Sequence, residues 1–316
     1  MKKDDPILVT GGKGFIGSHM VDLLIEKGHT AVYSIDNLLG SNNGNMINDN
    51  PKCTDLYGDI SELQFMDQQF KEHKFKYIYH FAANGNVPLS NDYPFVDFKS
   101  NAQGSLNLYN LSLKYEVEKI VFASTAAVYG TPETIPVKEV NGLNPISNYG
   151  LTKLYGEKLA IGYYKTYGLK SAVIRIFNTY GPRQPRYVLY DLIRKLNSSV
   201  YNLEVLGDGE QVRDYAYVSD TASAFYNVMA AENTTGEIYN ISGGKPINIK
   251  KLIELICLNL NITPKINYTG KSWPGDIKVL HADISKLKSD VGFEPQVPIE
   301  DGLNRSISWF QANGFI

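Results

Sequence analysis

The 316-residue chain holds only two cysteines, Cys53 and Cys257, too few for a disulfide framework, and neither has a CxxC partner. Its five histidines, at 19, 29, 73, 80 and 281, show no HxxxH or His/Cys spacing, so no metal site is expected. No apolar run approaches the roughly 18 residues that a membrane helix needs. An excess of one charge is also missing: 31 Lys+Arg face 33 Asp+Glu, a net −2, with no long run of either sign. That balance lacks the basic footprint that nucleic acid or an anionic membrane surface requires. The opening MKKDDPILVTGG has two lysines, but Asp4, Asp5 and a glycine-rich turn replace the apolar segment and cleavage site of a signal peptide. A cytoplasmic location is therefore expected. What is present is ordinary for a folded soluble chain, 43% apolar and 20% charged. At roughly 150 residues per domain, the length suggests about two domains, or one domain with a grafted lobe.

Short apolar runs alternate with amphipathic stretches through the first half. Ile7-Leu8-Val9, Thr30 to Ile35, Tyr77 to Phe81, Lys119 to Ala123 and Ala172 to Ile176 read as strands. Ile16 to Lys27, Phe95 to Tyr115 and about Ser147 to Tyr167 read as helices between them. Strands separated by helices of this length predict right-handed βαβ units and a parallel sheet, whose buried strands are continuously apolar, as Ile7-Leu8-Val9 and Ile120-Val121-Phe122 are. The fold class is α/β. Leu39 to Lys52 and Gly181 to Arg186 read as loops, the second broken by two prolines. Beyond it come a helix near Leu189 to Leu196, a VLGDG turn and a final region around Ser272 to Asp283, with the look of a smaller lobe.

Directly after the first strand, Gly11, Gly14 and Gly17 are spaced G-x-x-G-x-x-G at the opening of a helix. Lacking Cβ atoms, they let the backbone turn tightly and approach a pyrophosphate seated on the helix N-terminus. Asp36 ends the second strand about 20 residues on, where a carboxylate accepts hydrogen bonds from an adenosine ribose. A carboxylate there repels a 2′-phosphate and favours NAD over NADP. A helix cap or loop acid is the alternative for Asp36. A P-loop is excluded, because no Gly-Lys-Ser/Thr follows.

Tyr149 and Lys153 stand four residues apart, on one face of the predicted helix. A phenol ionises near pH 10, too high for a base at neutral pH. A neighbouring ammonium and the positive charge of an oxidised nicotinamide favour phenolate, so the pair predicts a tyrosine lowered into a useful range. Such a group takes a proton from a substrate hydroxyl while hydride leaves the same carbon. Ser124 and Thr125 follow the strand at 119–123 and offer a hydroxyl at the sheet edge where open α/β folds bind ligands.

TGGKGFIGSH, Asp36, Gly58-Asp59-Ile60, His80-Phe81-Ala82-Ala83, STAAVYG, YGLTK, Arg175-Ile176-Phe177-Asn178 with Tyr180-Gly181-Pro182-Arg183, Val212-Arg213-Asp214-Tyr215 and Trp273-Pro274-Gly275-Asp276 occur in that order. Together they resemble the extended short-chain dehydrogenases, specifically the nucleotide-sugar epimerases and dehydratases, over nearly the whole chain. The resemblance implies a Rossmann-type doubly wound parallel sheet in 1–175, with segments of roughly 213–243 returning to it. Residues 176–212 and 244–316 would form a smaller mixed α/β substrate-binding lobe. It implies NAD as cofactor, Tyr149 as base, Lys153 on the nicotinamide ribose, and Thr125, with Ser124 as fallback, on the reacting oxygen. Gly11, Gly14, Phe15, Ile16, Gly17, Asp36, Asn37, Asp59, Ile60, Phe81, Ala82, Ala83, Ser100, Tyr149, Lys153 and Phe177 would bind the cofactor. Thr125, Asn178, Leu206, Arg213, Asp276 and Leu280 would bind the substrate, Arg213 a phosphate and Asp276 the nucleotide ribose. An exposed ion pair for Arg213 and Asp214, and a turn cap for Asp276, are the alternatives.

Two departures stand out. Trp273 occupies the place of an arginine that many 4-epimerases carry before Pro-Gly-Asp, so that one phosphate contact is either missing or supplied by Arg183 or Arg186. Asn84-Gly85-Asn86 stands where some relatives have a lysine. The 4,6-dehydratases follow the catalytic threonine with Asp-Glu; here Ala126 and Ala127 can do no acid/base chemistry. The resemblance thus implies an isomerase, a 4-epimerase interconverting UDP-glucose and UDP-galactose through a 4-keto sugar. Leu280, smaller than the tyrosine of hexose-restricted relatives, extends the expectation to N-acetylhexosamine forms. A 4,6-dehydratase, another sugar-nucleotide epimerase and an inactive NAD-binding member are the alternatives. By family analogy a homodimer would form through the helices at Phe95–Tyr115 and Ser147–Tyr167.

Overall fold

The computed structural model describes residues 1–39, 49–85, 90, 92–184, 186–199, 201–271 and 277–316. Six strands build most of a parallel sheet: β1 (Ile7–Thr10), β2 (Val32–Asp36), β3 (Cys53–Tyr57), β4 (Tyr77–His80), β5 (Lys119–Thr125) and β6 (Ser171–Ile176). After two short strands, β7 (Asn178–Tyr180) and β8 (Asn202–Val205), and a further pair, β9 (Val212–Arg213) and β10 (Tyr215–Tyr217), the chain returns as β11 (Ile238–Ile241). The seven-stranded sheet has the order β11-β6-β5-β4-β1-β2-β3. Its direction of winding reverses between β1 and β4, which is where doubly wound sheets bind ligands.

The central strands are buried along their length, β1 and β5 almost completely, because helices cover both faces. Helix α1 (Phe15–Glu26) and the helix Val218–Ala230 pack on one face, in a cluster with Val9, Leu24, Val121, Ile174 and Phe225. Leu8, Ile78, Ile120, Phe70 of helix α2 (Leu63–His73) and Leu108 form the core of the other. A separate core holds Leu189, Ile193, Leu252, Ile256, Leu303 and Phe310 together. Small sheets β10-β7, β12-β9-β14 and β13-β8 accompany it, with β12 at Ile247–Asn248, β13 at Lys265–Tyr268 and β14 at Val279–Leu280.

The strands and helices expected from apolar patterning are present within about two residues at each end. Ser147 caps the helix Asn148–Tyr167 by accepting from the Gly150 amide at 3.1 Å. Two differences matter. The stretch expected as one helix over Phe95–Tyr115 begins at Pro94 and contains a π-helical turn at Phe98–Gln103, which turns Ser100 toward the site. β3 gave no clear apolar period, since it is an edge strand with only partial burial, whereas α2 carries one at Leu63, Met66 and Phe70. Residues 40–48 of the expected Leu39–Lys52 loop lie outside the described residues.

Candidate active site

A cavity of about 840 Å³ opens at the carboxyl edge of β1 and β4 and runs into the smaller lobe. Its first part is the glycine turn. Gly11 has φ +70°, and a Cβ there would lie 2.8 Å from the Ala82 amide nitrogen. A Cβ on Gly17 would come within 2.1 Å of the Gly11 carbonyl oxygen, so only glycine lets α1 start this close to the strand. Asp36 accepts from the Lys13 amide at 3.0 Å and the Leu38 amide at 2.8 Å; it braces the turn and also faces the cavity. Burial raises its carboxyl above the usual range, and the amides of Leu38, Lys13 and Gly14 work against that rise. Asn37 donates to Asp59 at 3.0 Å at the same end. Of the residues expected to bind the cofactor, Lys153 is the one that does not line this cavity.

Tyr149 and Thr125 meet in the middle of the wall. Tyr149 rides on the first turn of its helix, held by its carbonyl accepting from Thr152 Oγ1 at 3.0 Å and its amide donating to Ser90 Oγ at 3.3 Å. The protein's own groups do not supply the expected lowering of its phenol. Burial raises it first, with Tyr187 adding to the rise; a hydrogen bond with Thr125 and the charge of Arg186 pull the other way. Lys153 is buried with its ammonium 4.3 Å from the Phe122 ring centroid, and burial brings it down to about 7 against the opposing charge of Glu157.

Ser124, the fallback hydroxyl, is committed elsewhere. It donates to Glu157 Oε1 at 2.5 Å, while Arg175 grips the same carboxylate from Nε at 2.8 Å and Nη2 at 2.7 Å. Of the two hydroxyls at the end of β5, Thr125 is therefore the one that hydrogen-bonds the Tyr149 phenol.

The substrate half joins the wall through Asn178, Leu206 and Arg213. Asp214 overturns the exposed-pair alternative: it is fully buried and accepts from Ser242 Oγ at 2.6 Å and the amides of Gly244 and Lys245 at 3.1 and 3.2 Å. Leu280 does not line the cavity. It packs against the buried cluster of Val128, Tyr129 and Val137. Asp276 and Trp273 lie outside the described residues. Sequence reasoning passed over Gln184, Tyr187 and Tyr215, which also face the cavity. The GPRQ and RDY runs carried the signal, but apolar periodicity cannot reveal residues on irregular backbone.

The donor set suits a ligand with phosphates. Arg183 bonds Asp22 at 2.7 Å and His19 Nδ1 at 3.1 Å, and His19 Nε2 reaches the Pro182 carbonyl at 3.0 Å. Burial and the Arg183 charge push His19 down to about 4, so it is neutral and its Nε2–H donates. The other guanidinium nitrogen of Arg183, Nη1, and the Asn178 Nδ2 amide are buried donors without a partner among the described residues.

Residues 8–306 match the family model described as GDP-mannose 4,6 dehydratase. The chain belongs to this family of NAD-dependent nucleotide-sugar epimerases and dehydratases. Among its relatives, a putative UDP-glucose 4-epimerase of Methanocaldococcus jannaschii is 36% identical over 97% of this chain and 99% of its own. A UDP-glucose 4-epimerase of Thermotoga maritima, solved with UDP-glucose, superposes with a TM-score of 0.87 at 33% identity, covering 97% of this chain and 99% of that one. A dTDP-glucose 4,6-dehydratase of Streptomyces venezuelae, solved as a double mutant with NAD bound, gives 0.86 at 28% identity over 98% of each chain. NAD fits the residues present: the glycine turn admits a pyrophosphate, and Asp36 with Asn37 and Asp59 offers acceptors at the adenosine end. Among the described residues no cluster of three or more His, Cys, Asp or Glu could hold a metal ion, and no helix is long and apolar enough to cross a membrane.

Proposed function

We propose that the protein is a nucleotide-sugar 4-epimerase interconverting UDP-glucose and UDP-galactose. The observation that carries this choice over dehydration is Thr125-Ala126-Ala127. The two positions at which related dehydratases hold an Asp-Glu pair are alanines here, and Ala127 lies on the cavity wall. Loss of water across C5 and C6 needs an acid and a base at that spot, and methyl groups supply neither.

The bound dinucleotide supplies a reversible hydride acceptor and, when oxidised, a positive charge beside the phenol. Thr125 holds the C4 oxygen against Tyr149, and Tyr149 removes its proton as the C4 hydrogen departs with its electron pair. Lys153 keeps the ribose and phenol in register. Arg213 binds the diphosphate, where a guanidinium fork suits two oxygens. When the keto sugar turns over in the cavity before reduction, Tyr149 returns the proton and C4 is inverted. We assign the nucleotide ribose to Asp276 and the base to Leu206.

Incubating the protein with UDP-galactose and analysing products by mass spectrometry and sugar composition tests this. UDP-glucose at unchanged mass is expected; loss of one water would mean dehydration, and no UDP-glucose would count against the reading. Tyr149→Phe should lower turnover by about 10²–10⁴-fold with NAD binding retained. Full turnover in that variant refutes the assigned base.

We also propose a homodimer built on the helices of 94–114 and 148–167. Phe95 at 85% and Leu151 at 53% exposure leave apolar surface on these two neighbouring elements.

A further inference from the structure

Tyr187 stands on the cavity wall where the two lobes meet. It immediately precedes the helix Val188–Ser198, whose Leu189 and Ile193 belong to the core of the smaller lobe. Its hydroxyl donates to the carbonyl of Gly85, in the loop after β4 of the parallel sheet. The loop it reaches is fastened to the helix of Tyr149. Asn84 donates its amide to Asn101 Oδ1 at 2.8 Å, Asn101 Nδ2 donates to Thr152 Oγ1 at 3.1 Å, and Thr152 Oγ1 donates to the Tyr149 carbonyl. Farther along, Ser90 accepts from the Tyr149 amide through Oγ and from Asn148 Nδ2 through its carbonyl. The Tyr187 hydroxyl therefore ties the smaller lobe to the segment that holds the phenol. At 48% exposure the residue lies at the mouth of the cavity rather than on its floor.

The backbone at this position is strained. Its φ of +77° with ψ of +169° falls in a region that glycine alone occupies readily. A bulky residue stays there only where its surroundings over-determine it. Here the bond to Gly85 does so, together with Arg186, whose guanidinium carbon is 5.5 Å from the centroid of the tyrosine ring. A hydrogen bond kept closed against backbone strain opens at low net cost, because relaxation of the chain offsets the lost bond.

A 4-epimerase needs a contact of this kind. Once the proton has gone to Tyr149 and the hydride to the dinucleotide, the 4-keto sugar must turn over before it is reduced. A keto sugar that leaves at that moment strands one reduced dinucleotide on the protein. We propose that Tyr187 is a strap: its bond to Gly85 keeps the keto sugar in the cavity during turning, and the strained backbone lets that bond open for entry and exit. The inference rests on the 4-epimerase reading and adds how the same site retains its intermediate.

The test uses Tyr187→Phe, which removes the hydroxyl and keeps the ring, with thermal melting and NAD content measured on each protein. During turnover of UDP-galactose the variant should shed a keto sugar lighter than the substrate by two hydrogens, which borodeuteride marks with one deuterium for mass spectrometry. Its yield per turnover should exceed that of the wild type by about 10-fold or more, matched by an equal amount of reduced dinucleotide on the protein. In the Tyr149→Phe background, where little turnover occurs, adding Tyr187→Phe should speed dissociation of UDP-galactose by about 3- to 10-fold, the range of one neutral hydrogen bond. A variant that sheds no more keto sugar than the wild type overturns the inference, whether or not it melts lower, and leaves the epimerase reading standing. Faster dissociation without escape of keto sugar also overturns it, since the hydroxyl would then hold the substrate and not the intermediate. If NAD-loaded wild type neither binds nor converts UDP-galactose, the epimerase reading fails and this inference with it.

Discussion

Lys153, proposed to keep ribose and phenol in register, would serve chemistry at a cost in stability. Its ammonium is almost fully buried, and the aromatic face of Phe122 with the nearby Glu157 compensates the lost hydration only in part. A lysine whose folded value lies below its unfolded one penalises folding wherever the unfolded chain holds the extra proton. For Lys153 the penalty is absent above the ordinary lysine value of 10.5, grows as pH falls toward about 7, and levels off below that. Lys153→Met should therefore melt higher than the wild type at pH 6, with the gain shrinking toward pH 10, and lose turnover. Melting curves across this range check it; a variant that melts lower at pH 6 would show that the ammonium contributes to stability instead. The same burial holds Tyr149 up, so for it to act as the proposed base at neutral pH a positive charge, such as the oxidised dinucleotide carries, has to offset that burial.

At the scale of elements, the strand ends β5 and β6 and the helix Asn148–Tyr167 are joined beneath the site by one polar network. Glu157 accepts from Ser124 on β5 and Arg175 on β6; Arg175 Nη1 also donates to Tyr129 at 2.8 Å, and Tyr129 to Asn240 Oδ1 of β11 at 2.7 Å. Glu157 is two turns along from Tyr149, so this network sets the depth at which the helix presents the phenol. Removing one partner of a buried pair leaves the other charge unmatched. Glu157→Ala is expected to cost about 3–5 kcal/mol of unfolding free energy by urea denaturation. A loss under about 1 kcal/mol would place the pair among ion pairs that water already screens.

For the whole molecule, the cavity lies between the cores that flank the parallel sheet and the separate core of the smaller lobe, which shares no residue with them. A substrate that touches Thr125 on one side and Arg213 on the other spans both. Helix 148–167, which carries exposed Leu151, also carries Tyr149, so the proposed dimer would couple assembly to the site. Light scattering is expected to give twice the chain mass of 35.3 kDa. Leu151→Glu together with Phe95→Glu should shift it to the monomer; a wild type already at the monomer mass rules the dimer out.

How much of this was legible beforehand differs by kind. Apolar periodicity located the central strands and the long helices, because fully buried strands between amphipathic helices leave a strong local signal. It did not reveal the edge strand β3, whose outer side faces water, or the π-helical turn at 98–103, whose cause is tertiary. The GxxGxxG spacing and Asp36 identified the dinucleotide turn, since glycine at a close approach is a steric requirement that one residue type alone meets. Composition alone ruled out a disulfide scaffold and a membrane-spanning helix. Only the tertiary structure decided between Ser124 and Thr125, one turned into the Glu157 carboxylate and the other toward Tyr149. It alone took Leu280 off the cavity wall and brought Arg186 onto it. The direction of a side chain, and the balance between burial and neighbouring charge that sets its proton affinity, depend on contacts between segments far apart in the chain, which no local pattern encodes.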